Sequence, residues 1–119
     1  MNVKTILITG ASKGLGASFA YTLADEGYRI IGIARNDIQL NETINNLPNK
    51  YLNHKALSFD ITNEALIKKF LNNLDIYCLI NNAGIAQSNT LRDTTSEDIG
   101  DILKMNLVSA LNISNAVIP

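Results

Sequence analysis

Residues Thr5–Gly16 read TILITGASKGLG, and the architecture of the chain follows from them. An apolar, β-branched run stops at a glycine-rich turn, and a helical pattern begins at once, which predicts a strand, a loop and a helix. Glycines at this turn leave the backbone N–H groups open to a phosphate, and the following helix points its positive end at the same place. The spacing is G-x-x-x-G-x-G rather than G-x-G-x-x-G, so an ordinary strand-to-helix turn is the alternative for the loop taken alone.

The composition indicates one globular domain. The chain has 119 residues, of which 46% are hydrophobic, and a net charge of −1, which argues against nucleic acid and anionic membrane partners. We find no segment long enough to span a bilayer and no basic apolar leader, so we expect a cytoplasmic protein. Cys78, the single cysteine, lies in an apolar run. We therefore expect a buried structural thiol rather than a catalytic one, and we expect no metal site.

Strand and helix patterns alternate along the chain. We predict strands at 3–9, 29–34, 55–59 and 76–81, a loop at 82–93, and helices that begin near 14, 37, 63 and 94 or 95. Gly27 and Pro48 are expected to end the first two helices, and the third is predicted to run to Leu74. Thr62 is predicted to cap the third helix, and Thr94 with Glu97 to form a capping box for the last, which runs on to Pro119.

Four alternations of this kind predict an α/β fold with a doubly wound parallel sheet in the order 3-2-1-4. The chain then leaves strands one and four in opposite directions, which opens a crevice at their carboxyl ends. The glycine loop follows strand one, and Asn81-Asn82-Ala83-Gly84 follows strand four. Two turns of small residues are thus expected to meet at one crevice.

These motifs together resemble the short-chain dehydrogenase/reductase family. Thr9–Gly16 is similar to its T-G-x-x-x-G-x-G motif, and Asn81–Gly84 to its N-N-A-G motif. Asp60 resembles the aspartate after strand three, and Asn106 the helix asparagine of the catalytic set. The resemblance implies a Rossmann-like, three-layer α/β/α fold. It covers the whole chain but about half of the usual fold, so residues 1–119 would be an incomplete cofactor-binding domain that stops after the fourth strand and its helix.

The resemblance also assigns roles in cofactor binding. Gly10, Gly14 and Gly16 would shape the pyrophosphate turn, with a phosphate donor in the backbone N–H of Leu15 and a hydroxyl from Ser12 near the ribose phosphate. At the other end of the cofactor, Asp60 would accept from the adenine amino group and the N–H of Ile61 would contact the ring. Room for the adenine ribose would come from Asn82, Ala83 and Gly84. A helix-capping aspartate is the alternative for Asp60, and part of the asparagine motif is structural in either case.

The end of the second strand predicts which cofactor is preferred. A carboxylate there would bind the ribose 2′-hydroxyl of NAD, but this chain has Ala34 followed by Arg35. A guanidinium can bind a 2′-phosphate through two hydrogen bonds, and Lys13 adds a second positive charge from the glycine loop. The pair favours NADP(H) over NAD(H). Two solvated surface cations are the alternative.

The catalytic half of the family pattern is not matched. The family uses an asparagine, a serine and a Y-x-x-x-K pair on one helix. Asn106 matches the asparagine, and the others are expected beyond Pro119. The spacing recurs at Tyr51 and Lys55, but Lys55 opens a strand at the amino end of the sheet, so we reject that pair. We interpret His54 beside it as a loop histidine.

Two functions from different classes follow. The first is an oxidoreductase: the chain would be the NADP(H)-binding part of an enzyme acting on a small carbonyl or alcohol substrate, and inactive alone. The second is a non-catalytic relative that binds nucleotide or a protein partner. The last helix carries more apolar residues than one sheet face needs, so we also expect a homo-oligomer through residues 95–118.

Overall fold

A computed structural model describes residues 2–85 and 89–119. The strands are β1 (Thr5–Thr9), β2 (Arg29–Ala34), β3 (Lys55–Ser58) and β4 (Cys78–Ile80). The α-helices are α1 (Gly14–Asp25), α2 (Asp37–Asn45), α3 (Glu64–Leu71), α4 (Ser96–Leu103) and α5 (Ser109–Val117). Short 3₁₀ helices cover Lys50–Leu52 and Leu91–Asp93. The predicted loop at 82–93 includes residues 86–88, which lie outside the described part of the chain.

The sheet is parallel and has the order β3-β2-β1-β4, which confirms the predicted topology. Leu7 in the centre of β1 pairs with Ile31 of β2 on one side and with Leu79 of β4 on the other. The glycine loop after β1 therefore emerges beside the turn after β4, residues Asn81–Gly84, which we call the asparagine turn. Both lie at one edge of the sheet.

The core lies on both faces of the sheet. On one face, side chains of β1 and β2 pack against small and branched residues of α1 and α2, namely Ala20, Ala24, Leu40 and Ile44. On the other face, the sheet packs against Ile67 and Leu71 of α3 and Ile113 of α5. The result is the predicted three-layer α/β/α arrangement, in which central strands are covered from both sides.

The starts of two helices differ from the prediction by one residue. Asn63, not Thr62, caps α3, because its side chain accepts a 3.2 Å hydrogen bond from the N–H of Leu66. The capping box of α4 joins Thr95 and Asp98, with hydrogen bonds of 3.0 and 3.1 Å, and not Thr94 with Glu97. A short aspartate side chain in the N3 position reaches back to the N-cap amide as a glutamate would.

The long final helix is not regular. Residues Lys104–Val108 form a π-helical segment between α4 and α5, and the hydroxyl of Ser109 donates a 2.7 Å hydrogen bond to the carbonyl of Lys104 five residues earlier. A π-segment inserts one extra residue per turn, and it changes the direction of the side chains that follow. The sequence pattern predicted one uninterrupted helix because apolar residues recur on both sides of the insertion.

Cys78 is exposed, and the prediction of a buried thiol is wrong. The residue pairs in register with Ile6, which the helices α1 and α2 cover, but β4 is the outermost strand of the sheet. An apolar run therefore indicated a strand correctly without indicating that both of its faces are covered.

His54 has a structural role at the amino end of the sheet. Its Nδ1 accepts a 3.0 Å hydrogen bond from the N–H of Ile30, and its Nε2 lies 2.8 Å from the carbonyl oxygen of Pro48. The ring thus extends the pairing of β2 just before β3 begins, with the proton on Nε2.

Within the described residues, no helix is both long and apolar enough to cross a bilayer.

Candidate functional site

A cleft of about 360 Å³ opens at the carboxyl ends of the strands. It lies where β1 and β4 send the chain in opposite directions, as the topology requires. The predicted site residues that line it are Gly10, Ser12, Lys13, Arg35, Ile61, Ala83 and Gly84. The structure thus brings together parts of all three predicted cofactor motifs. Gly14, Leu15, Gly16, Asp60, Asn82 and Asn106 do not line this cleft.

Gly10 and Gly16 of the loop must be glycines for different physical reasons. Gly10 has φ +67°, and a Cβ there would lie 3.0 Å from the Cα of Ala83. A Cβ on Gly16 would lie 2.1 Å from the carbonyl oxygen of Gly10 and 2.7 Å from the side chain of Asn82. Gly10 therefore lets the asparagine turn approach, and Gly16 lets α1 start directly against the loop.

The start of α1 leaves backbone donors available. Among the described residues no side chain caps this helix, and the N–H of Ala17 makes the first turn's hydrogen bond, 3.3 Å to the carbonyl of Lys13. The N–H groups of Gly14, Leu15 and Gly16 precede it and point along the axis, as the first amides of any helix do. The carbonyl of Ser12 is held from outside by a 2.8 Å hydrogen bond from the hydroxyl of Thr43. An anion is the ligand such a helix start favours.

Thr9 connects the two turns. Its buried hydroxyl oxygen accepts from the N–H of Asn82 at 3.1 Å and from the N–H of Ala83 at 3.0 Å. The side chain of Asn82 donates in turn to the carbonyl of Gly10 at 3.2 Å. Asn82 thus builds the site by tying β4 to the glycine loop, while its neighbours Ala83 and Gly84 form the wall.

Positive charge collects on one side of the cleft. Lys13 and Arg35 both line it and are exposed, and Ala34, the last residue of β2, directly precedes Arg35. The backbone at Arg35 is fixed because its carbonyl accepts a 3.1 Å hydrogen bond from the Ser58 hydroxyl. Two cations without a carboxylate at the end of β2 match a ligand with an additional phosphate better than one with a free diol.

Asp60 lies half-buried after β3. Burial works against its ionisation, but its Oδ1 accepts from the N–H of Thr62 at 2.9 Å and from the Thr62 hydroxyl at 2.8 Å. Together with the charges of Arg35 and Lys104, these bonds hold the pKa of Asp60 below its ordinary value of 3.8. The carboxylate does not cap α3, since Asn63 does so, and its Oδ2 makes no hydrogen bond with the described residues.

Asn106 lies within the π-helical segment and faces the chain that follows the asparagine turn. Its Oδ1 accepts from the N–H of Ile85 at 2.7 Å, and its Nδ2 donates to the carbonyl of the same residue at 2.8 Å. A Cβ on Gly84 would lie 3.2 Å from the Oδ1 of Asn106. The side chain thus uses one donor and one acceptor on the backbone of Ile85.

Several residues of the cleft were not predicted from the sequence. Asn36 and Gln39 line it from the start of α2, Phe59 from the end of β3, and Ile85 and Met105 from the two segments that Asn106 joins. Their positions directly after a strand or beside a motif residue were the available signal. Thr9 was included in the T-G-x-x-x-G-x-G motif, but its hydrogen bonds to the turn after β4 could not be read from the motif.

The rejected Tyr51/Lys55 pair lies away from the cleft. Tyr51 is in a 3₁₀ helix and 76% exposed, and Lys55 begins β3 opposite Ile31. The two residues do not share a helical face, which is the arrangement that a Y-x-x-x-K pair needs.

Comparison with known proteins identifies the family. The model of the short chain dehydrogenase family matches residues 4–119. The chain is 34% identical over 119 residues to the 3-oxoacyl-(acyl-carrier-protein) reductase FabG of Salmonella typhimurium, covering 96% of the chain and 48% of the relative. It is 32% identical over 123 residues to a very-long-chain 3-oxoacyl-CoA reductase of Pyrenophora tritici-repentis, covering 95% of the chain and 36% of the relative.

Among solved structures, a short-chain dehydrogenase from Sphingobium yanoikuyae in complex with NADPH superimposes with a TM-score of 0.85 at 32% identity. The alignment covers 97% of this chain and 47% of that one. The chain therefore spans about half the length, or less, of the proteins it matches. The family match extends over all the motifs from the glycine loop to Asn106, and the chain belongs to the short chain dehydrogenase family.

Proposed function

We propose that this chain is the NADP(H)-binding part of a short-chain oxidoreductase that acts on a small carbonyl or alcohol substrate. The observation that carries the proposal is the cleft itself, which is lined by Lys13 of the glycine loop and by Arg35 after β2, while the end of β2 has no carboxylate. The NADPH complex of the Sphingobium yanoikuyae relative supports the choice of cofactor.

The residues present fit a dinucleotide. A Cβ at Gly16 would collide with the loop, so the loop is shaped around a helix start with free N–H groups. These amides would hold the pyrophosphate, the hydroxyl of Ser12 would lie near the ribose phosphate, and Lys13 and Arg35 would bind the 2′-phosphate. Asp60 would accept from the adenine amino group through its unoccupied Oδ2, next to the N–H of Ile61. When bound, NADP(H) would supply the chemistry of hydride transfer, giving a hydride to a carbonyl or accepting one from an alcohol.

Asn106 would serve turnover indirectly. Its carboxamide is spent on Ile85, so what it offers to a reaction is the π-helical geometry of the backbone around it. Transfer of a hydride to a carbonyl also needs a positioned proton donor. Within the described residues, no tyrosine–lysine pair shares a helical face beside the cleft, so we propose that the 119-residue chain alone binds the cofactor without catalysing turnover.

We also propose that the exposed apolar residues of α4, the π-segment and α5 form a homo-oligomer interface. Ile99, Leu103, Leu107 and Leu111 recur every four residues, and each is about half exposed or more. A row of this kind is typical of a protein–protein contact rather than of a free helix.

We also propose that the protein is located in the cytoplasm.

Calorimetric titration of the 119-residue chain with NADPH and with NADH tests the cofactor assignment. We expect tighter binding of NADPH, by at least about tenfold, since a charge-assisted contact contributes roughly 1.5–3 kcal/mol. The double variant Ala34→Asp, Arg35→Ser should reverse the preference, and Lys68→Gln, an exposed lysine of α3, should leave it unchanged. Equal affinities for the two cofactors would refute the assignment.

Activity separates the two classes of function. Carbonyl reduction by NADPH should be absent with the 119-residue chain and present in a longer protein that supplies the serine and the Y-x-x-x-K pair. Turnover by the 119-residue chain, free of contaminating enzyme, would contradict the proposal. A longer protein that binds NADPH and stays inactive towards all carbonyls tested would support the non-catalytic alternative.

A further inference from the structure

A second groove adjoins the cofactor cleft. It has a volume of about 320 Å³ and is lined by Arg35, Thr62, Ile85, Asp101, Lys104 and Met105. Arg35, Ile85 and Met105 also line the cleft described above, so the two openings are continuous. The new wall comes from the end of α4 and the start of the π-segment, which none of the predicted cofactor motifs includes.

Lys104 is the cation on this wall. It is exposed, and within residues 2–85 and 89–119 the only ion pair shorter than 4.0 Å is that of Lys68 with Glu64. Asp101, three residues earlier on the same helix, therefore does not neutralise the ammonium of Lys104 by contact. The positive charge of Lys104 therefore remains available to a ligand in the groove.

The charge of Lys104 reaches the adenosine end of the cleft. Asp60 is influenced by both Arg35 and Lys104, which lie on different structural elements. The carboxylate is further held in its ionised form by Thr62. Two cations on two walls produce a positive local potential beside Asp60, which strengthens the binding of a ligand that carries an additional phosphate. This requires that the Asp60 carboxylate accepts a hydrogen bond from a neutral donor of the ligand.

We propose that Lys104 is a third cationic residue that binds the 2′-phosphorylated dinucleotide, from a different wall than Lys13 and Arg35. The inference rests on the proposed function, because it assigns a further specificity-determining residue to the same site. Lys104 acts as a mobile point charge, whereas the Arg35 guanidinium offers a fixed fork. Its contribution is therefore electrostatic, greater for NADP(H) than for NAD(H), and sensitive to salt.

The test is the affinity of Lys104→Gln for NADPH and NADH, measured calorimetrically at low salt and again at about 0.5 M salt, where the screening length falls to a few ångströms. We expect NADPH binding to weaken about threefold to tenfold at low salt, with a smaller change for NADH and at high salt. Lys104→Arg should retain the affinity of the unmodified chain. Lys68→Gln, with the same change of charge on α3, should bind like the unmodified chain.

Circular dichroism and urea unfolding of each variant establish that its fold is intact. Unchanged NADPH affinity in Lys104→Gln would overturn the inference, and so would an equal, salt-independent loss for both cofactors, which indicates a packing role. If Arg35→Gln weakens NADPH binding and Lys104→Gln does not, the inference fails while the proposed function stands. If the unmodified chain binds neither cofactor, both fail.

Discussion

The carboxamide of Asn106 pairs with both backbone polar groups of Ile85, at 2.7 and 2.8 Å, as a neighbouring strand would. Asn106 lies in the π-helical segment, and Ile85 lines both the cleft and the adjoining groove. The pair therefore fixes the distance between the helix and the chain after the asparagine turn, across a separation of 21 residues in sequence.

Asn106→Ala removes both of these hydrogen bonds. We expect the free energy of unfolding to fall by about 1–2 kcal/mol, at roughly 1 kcal/mol for each bond, measured by urea denaturation of the 119-residue chain. Asn106→Asp keeps the acceptor and loses the donor, so its free energy of unfolding should lie between those of the unmodified chain and Asn106→Ala. Asn115→Ala, at an exposed position of α5, is the matched control and should change stability little. In an active longer protein, Asn106→Ala should lower turnover more than NADPH affinity.

Gly16 and Gly100 are predicted to respond to alanine in opposite directions. A Cβ at Gly16 meets the carbonyl oxygen of Gly10 at 2.1 Å, so Gly16→Ala should cost about 1–3 kcal/mol and weaken NADPH binding. Nothing lies within 4 Å of a Cβ at Gly100, in the exposed part of α4. Gly100→Ala should therefore raise stability by about 0.5–1 kcal/mol. Thermal unfolding of both variants would contradict this if the two shifts had the same sign.

The depressed pKa of Asp60 predicts how stability depends on pH. Because the folded state favours the ionised form, the carboxylate contributes stability above the pKa of the unfolded chain, about 3.9. That contribution is lost as the pH falls through the lower folded-state pKa. Asp60→Asn should thus be less stable than the unmodified chain at neutral pH, and the difference should disappear in strong acid. Urea midpoints between neutral pH and about pH 2 measure it, and a difference that grows on acidification would contradict the prediction.

The exposed row on α4, the π-segment and α5 predicts self-association. Leu107→Glu combined with Leu111→Glu should shift the chain towards the monomer in sedimentation velocity, because a charge would have to be buried in the interface. Ile38→Glu, at a more exposed apolar position of α2, should leave the distribution unchanged. A monomeric unmodified chain at high concentration would speak against the interface.

Local patterns in the sequence predicted the strand order and the meeting of the two turns, since both follow from the alternation of elements and from small residues at strand ends. What they could not predict depends on tertiary position. Cys78 is exposed because β4 is outermost, and the pattern of its neighbours does not encode that. Asn106 lies in a π-helical segment and pairs with Ile85, and the apolar pattern of the helix indicates neither the insertion nor this distant partner. Lys104 showed no motif, and only the fold places it beside Arg35.

The two N–H groups that donate hydrogen bonds to the Thr9 hydroxyl belong to residues 73 and 74 positions later in the chain. The residues of the glycine loop all lie before residue 17, yet the hydroxyl at the end of β1 and the carbonyl of Gly10 are hydrogen-bonded to the chain that follows β4. Closing a chain segment of this length costs conformational entropy. A substitution that weakens the pairing of β4 with β1 should therefore also disturb the glycine loop, although the two lie far apart in sequence.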